Sequence, residues 1–110
     1  METQYDIYST LLKDAVVSLA LTPQHQIDLG LSGCLACNLL NDYYYALKDF
    51  KDFSPNPISD EEKVALDQVL DVMHEMTDED HVCFDNSVLF REKWDSLRSS
   101  ATKARRVFGW

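Results

Sequence analysis

Cysteine, histidine and carboxylate side chains give a short chain its chemistry, and here three groups of them have informative spacing. Cys34-Leu35-Ala36-Cys37 is a C-x-x-C pair. Such a pair performs thiol–disulfide exchange when it opens a helix after a strand, where the helix dipole lowers the thiol pKa. The same pair supplies half of a zinc tetrahedron. His81 and Cys83 are available as the other half, although one intervening residue is unusual for two zinc ligands. Gly33, Cys34, Ala36 and Cys37 are also all small, and cysteine packs as a small apolar residue, so the motif equally marks a close helix approach. No strand signal precedes it. Packing is therefore the expectation, with no metal and no cofactor.

Histidine recurs beside carboxylate as Asp71-x-x-His74 and Asp78-x-x-His81. Di-metal helical bundles place such pairs on facing helices and add carboxylates from the other two. In this chain both pairs are adjacent in sequence, and Asp49-x-x-Asp52 and Glu92-x-x-Asp95 lie off the apolar stripes. A metal-dependent bundle, with a Cys/His zinc site or a carboxylate–histidine phosphohydrolase centre, is the alternative these residues leave open. No G-x-S-x-G or phosphate-cradling glycine motif occurs, and no catalytic residue is assigned. The chain is not expected to be an enzyme.

The third group is a row of acids. Asp67, Asp71, Glu75 and Asp78 follow at four, four and three, which places them on one ridge of a helix. Like charges at that spacing destabilise a helix by about 0.2–0.5 kcal/mol per pair. Lys63 is the only local compensation, and from Asp60 to Asp85 ten acids accompany that single base. Tyr43-Tyr44-Tyr45 adds an interface signal. Successive helical residues point about 100° apart, so the three tyrosines cannot share one core, and Tyr45 is expected at the surface near Asp42 and Asp49. Exposed tyrosine beside carboxylates is common among residues that dominate protein interfaces.

Helices must position these groups. Tyr5, Tyr8, Leu12, Ala15 and Leu19 form a stripe over residues 4–20, with Thr3 and Asp6 resembling a capping box. Thr22-Pro23 opens a second segment in which Leu29, Gly33, Ala36, Leu40, Tyr43, Leu47 and Phe50 keep a four-three rhythm. Gly30 and Gly33 weaken it by about 1 kcal/mol each, so it breaks near Leu31-Ser32 and leaves a main helix over 32–51. Ser54-Pro55-Asn56-Pro57 cannot continue a helix. Ser59 and Glu62 then form a capping box for a helix over 60–76, with Leu66, Val69, Met73 and Met76 inward. After a polar connection over 77–85, Asp85 or Asn86 caps a last helix. Phe90, Trp94, Leu97, Ala101, Ala104 and Phe108 are its stripe and Gly109 its stop.

This pattern specifies an all-α fold, an antiparallel four-helix bundle with room for a short extra helix or turn near residues 23–31. The 110 residues fit a single helical domain with a core of ordinary apolar content, at 45%. No basic leader or membrane-length apolar run is visible. Three cysteines cannot pair completely, and the expected location is the reducing cytoplasm. Charge is uneven: residues 1–86 hold 17 of the 19 acids but only 4 of the 10 bases. The net charge of −9 argues against direct nucleic-acid or anionic-membrane binding by the main body, so neither is expected as a partner.

The expectation is a small acidic protein-binding module that blocks or regulates a basic protein partner, as an immunity protein, an antitoxin or a nucleic-acid-mimicking inhibitor would. Asp67, Asp71, Glu75, Asp78, Tyr45 and Asp42 are its expected contact residues. A self-associating structural subunit, such as a homodimer, is the other alternative. Ile7, Leu11, Val17, Leu39 and Val72 are apolar residues off the main stripes that such an interface would bury.

Overall fold

The structure is a computed structural model and describes residues 6–110. Five helices and two 3-10 turns follow one another, and no strand occurs among the described residues. Helix α1 spans Ile7–Ala20 and buries Leu12, Ala15, Val16 and Leu19. Its cap is Asp6, held extended at φ −136°, whose carboxylate accepts the Tyr8 N–H at 3.0 Å and the Ser9 hydroxyl at 2.8 Å. Asp6 therefore occupies the N-cap rather than the third helical position expected for it. A start at Gln4, with Thr3 and Tyr5, lies outside the described residues.

Thr22 caps the short α2, Pro23–Asp28, with Pro23 at its first position. Gln26 of α2 is fully buried. Its amide donates to the Ser18 and Leu19 carbonyls at 3.1 and 3.2 Å, at the end of α1 where carbonyls lack their usual helical partners; that of Ser18 also accepts the Leu21 N–H. Gly30 and Gly33, both at positive φ, carry the chain through the turn to α3, Leu35–Phe53. This start lies three residues later than the spacing suggested, because the two glycines and Ser32 remain in the turn. Leu29, expected on the stripe, is consequently exposed. Leu39, set aside as surplus, is buried with Tyr43, Leu47 and Phe50.

Helix α4, Asp60–Glu75, carries the expected capping box: the Glu62 N–H reaches Ser59 Oγ at 3.1 Å, and the Ser59 N–H reaches Glu62 Oε1 at 2.9 Å. Two 3-10 turns follow, Asp78–His81 and Asn86–Phe90, before α5, Glu92–Phe108. Asp85 does cap, but it caps the second 3-10 turn through the Ser87 N–H at 3.0 Å. Arg91 then turns extended, at φ −76° and ψ 157°, so the last helix begins six residues beyond Asn86. That break rotates Phe90 out of the expected stripe into solvent. The remaining stripe keeps its register: Trp94, Leu97, Ala101 and Ala104 are fully buried. Gly109, at φ 72°, ends α5, with the Trp110 N–H on the Arg105 carbonyl at 2.9 Å and the Gly109 N–H on that of Arg106 at 3.1 Å. This is a Schellman ending.

The long helices pack as an all-α bundle in the ring order α3, α1, α5, α4, and their end-to-end contacts make neighbours antiparallel. Ser54, at the end of α3, donates to the Asp6 carboxylate at the start of α1, and the Tyr8 and Phe53 rings lie 5.5 Å apart. Lys93, at the start of α5, pairs with Glu75, at the end of α4, at 3.0 Å. Arg98, in the first half of α5, donates to Gln26 just beyond the end of α1 at 3.1 Å. The α3–α4 seam is the loosest of the ring. It is pinned by the buried Tyr43 hydroxyl, which donates to the Leu66 carbonyl at 2.7 Å. Among the described residues, no helix is long and apolar enough to cross a membrane.

Candidate functional site

The six expected contact residues fall on two surfaces. Asp42 and Tyr45 belong to a groove between α1 and α3; Asp67, Asp71, Glu75 and Asp78 run along α4 and into the first 3-10 turn. The groove encloses about 400 Å³ and is lined by residues of α1 and α3 alone. Small Ala15, Ser18 and Ala46 leave the hollow where the two helices pass, and Leu11 and Tyr45 flank it, both largely exposed. Asp14 from α1 and Asp42 and Asp49 from α3 supply its charge. No lysine or arginine lines it, and among the described residues none of these three carboxylates pairs with a cation. Tyr44 turns the other way, towards Leu70 of α4, with its ring edge-on to Tyr45 at 5.3 Å.

Much of the α4 ridge is neutralised from within the chain. Residues four apart advance about 40° around a helix, so the row drifts from one neighbour to the other. Asp67 meets Lys51 of α3 at 3.3 Å, and Glu75 meets Lys93 of α5 at 3.0 Å. Asp78 stands 3.9 Å from His81 and is otherwise fully solvated. Asp71 makes no ion pair among the described residues. Lys63, the only base close by in sequence, forms no ion pair among the described residues; the compensation comes instead from tertiary neighbours on α3 and α5.

A second cluster forms beside the start of α3. Cys34 is the helix N-cap and makes no side-chain capping bond; Cys37 is the third helical residue. These positions face one another across the first turn, as the two partners of a capping box do. Cys83, from the link between the two 3-10 turns, joins them, and the three sulfurs lie within 4.8 Å of one another. Cys37 and Cys83 are separated by 3.6 Å between sulfurs. The Phe84 N–H, in a residue at φ 61°, donates to Cys34 Sγ at 3.3 Å. Burial pushes the Cys34 thiol up. Bonds from the Cys37 thiol and from the Phe84 and Cys37 N–H groups outweigh it and hold Cys34 below the usual thiol value. Cys37, donating to Cys34 and partly buried, is pushed up to about 12. His81 does not join the group.

Two buried polar knots hold the Cys83 link in place, and neither was singled out from sequence. Asp80 closes a capping box on the Thr77 N–H at 2.9 Å and accepts Arg91 Nε at 2.8 Å, while its carbonyl accepts Trp94 Nε1 at 2.6 Å. The Thr77-x-x-Asp80 spacing was the available signal. Arg98 lies in the core against Trp94, its guanidinium donating to the Leu89 carbonyl, Gln26 Oε1 and Asp95 Oδ1. Its place four residues after Trp94, on the apolar stripe, was the signal there. No family model, no curated protein and no solved structure was found to match this chain.

Proposed function

We propose that this chain is a small acidic binding module that receives a cationic segment of a partner protein in the α1–α3 groove and so blocks or regulates that partner. The observation that carries the reading is the grouping of three carboxylates, Asp14, Asp42 and Asp49, which pair with no cation among the described residues, around a hollow edged by exposed Leu11 and Tyr45. Complementary charge speeds association and disfavours wrong partners, while an aromatic and an aliphatic side chain supply area that leaves water on contact. A lysine- or arginine-bearing amphipathic helix matches both needs. On this reading Asp71 and Asp78 extend the negative field beyond the groove, and Asp67 and Glu75 serve chiefly in the bundle. The odd count of three cysteines, which cannot pair completely within the chain, supports a reducing location such as the cytoplasm.

The test is capture of the native partner by the immobilised chain and by the Asp14→Asn/Asp42→Asn/Asp49→Asn variant. The variant should retain its helicity and lose most of the captured partner at low salt. Equal capture by a folded variant would remove the groove from the proposal.

A further inference from the structure

A cysteine used only for packing is buried, since it behaves as a small apolar residue. The three near α3 are not used that way throughout: Cys34 packs against the core but is only half-buried, Cys37 is half-buried, and Cys83 is exposed. They come from segments 46 residues apart, yet their sulfurs gather within 4.8 Å. Three thiolates around one metal ion at a metal–sulfur distance of about 2.3 Å stand about 3.8–4.0 Å apart, for tetrahedral or trigonal geometry. The Cys37–Cys83 pair, at 3.6 Å, is already near that separation, and the largest spacing needs to close by only about 1 Å to reach it.

The surroundings suit negatively charged sulfur. Cys34 and Cys37 occupy the N-cap and third position of a 19-residue helix, where open N–H groups and the dipole favour an anion. The Phe84 N–H donates directly to Cys34 Sγ. It does so from a left-handed backbone, which a phenylalanine adopts only where the structure around it enforces it. Amide donors of this kind are the outer support that metal-bound sulfur commonly has.

We propose that Cys34, Cys37 and Cys83 bind one thiophilic d10 cation, Zn2+ or Cu+, and that the ion clamps the link between the 3-10 turns onto the start of α3. Soft thiolates select these ions over the oxygen-loving divalent metals. Binding exchanges the thiol protons for metal–sulfur bonds and needs no oxidant. Cu+ is complete with three thiolates, whereas Zn2+ adds a solvent oxygen as its fourth ligand. His81 takes no part. The proposal is independent of the partner reading, since no cysteine lines the groove.

The test uses the unaltered chain, fully reduced and free of oxygen. One equivalent of Zn2+, or of Cu+ delivered as an acetonitrile complex, is added before alkylation, and the modified cysteines are counted by mass. Protection of all three thiols at one equivalent supports the site, and the ion that protects identifies the metal. Co2+ should give a thiolate charge-transfer band that saturates at one equivalent, persists in His81→Ala and collapses in Cys83→Ser. The His81 variant isolates the thiols as the ligands, and the alkylation count does not depend on any variant folding. Protection by neither ion, or of fewer than three thiols, would overturn the proposal.

Discussion

Asp80 shows how much one side chain holds in a molecule this small. It ties the turn after α4 to Arg91 and presents its carbonyl to the buried Trp94 ring. The Arg91 hydrogen bond, followed by the Thr77 N–H, holds the Asp80 carboxyl below the ordinary carboxylate range. An acid whose pKa is depressed by folding stabilises the native state above its unfolded value of about 3.9, and that contribution fades as pH falls through the folded value. Asp80→Asn should therefore cost about 1–3 kcal/mol at neutral pH, as expected for hydrogen bonds to a charged group. The gap between variant and parent should begin to narrow below about pH 4, where the unfolded parent's carboxyl takes up a proton, and go on narrowing as pH falls through the lower native value. Urea unfolding at several pH values measures this, and a gap independent of pH would show that the charge is not what matters. Asp6, held low by the Ser54 and Ser9 hydroxyls against the opposing effect of burial, should show the same trend.

At the scale of elements, apolar periodicity made the helices legible and polar detail set their ends. The stripes of α1, α4 and α5 were visible because four-three spacing survives any choice of end residue. Ser59-x-x-Glu62 fixed the start of α4 because both halves of its capping box are local. The last helix was misplaced because Phe90 continues the apolar rhythm, while the break at Arg91 answers to Asp80, eleven residues earlier. The same limit left the thiol cluster open: C-x-x-C was readable and Cys83 was available to it, but whether Cys83 approaches, and His81 does not, depends on two turns whose shape is set by tertiary contacts. The groove was half readable. Asp42 and Tyr45 follow from α3 alone, whereas Asp14 and Leu11 join them only once α1 lies alongside. Trp94 carries the element-scale prediction. It is fully buried between α5 and the Asp80 turn, so Trp94→Ala should cost about 3–5 kcal/mol in chemical denaturation. A loss under about 1 kcal/mol would mean that this core does not hold the bundle.

Charge decides behaviour at the scale of the whole molecule. A net −9 on 110 residues repels other anions and draws cations from a distance, an attraction whose range falls from about 10 Å at 0.1 M salt to about 3 Å at 1 M. Not all of that charge is free, since Lys51 and Lys93 occupy two acids of the α4 ridge. Replacing Asp71 and Glu75 by Asn and Gln should slow partner association modestly, with the effect shrinking as salt rises, and should leave the dissociation rate nearly unchanged. Surface-resonance kinetics at two salt concentrations checks this, and a faster dissociation would place the ridge inside the contact. The most direct measurement for the account as a whole is a map of backbone amide shifts on adding an amphipathic lysine–leucine helical peptide. The shifts should concentrate on residues 11–18 and 41–49 and disappear in the Asp14→Asn/Asp42→Asn/Asp49→Asn variant. Shifts confined to residues 67–78, or none at low salt, would contradict a cation-receiving groove between α1 and α3.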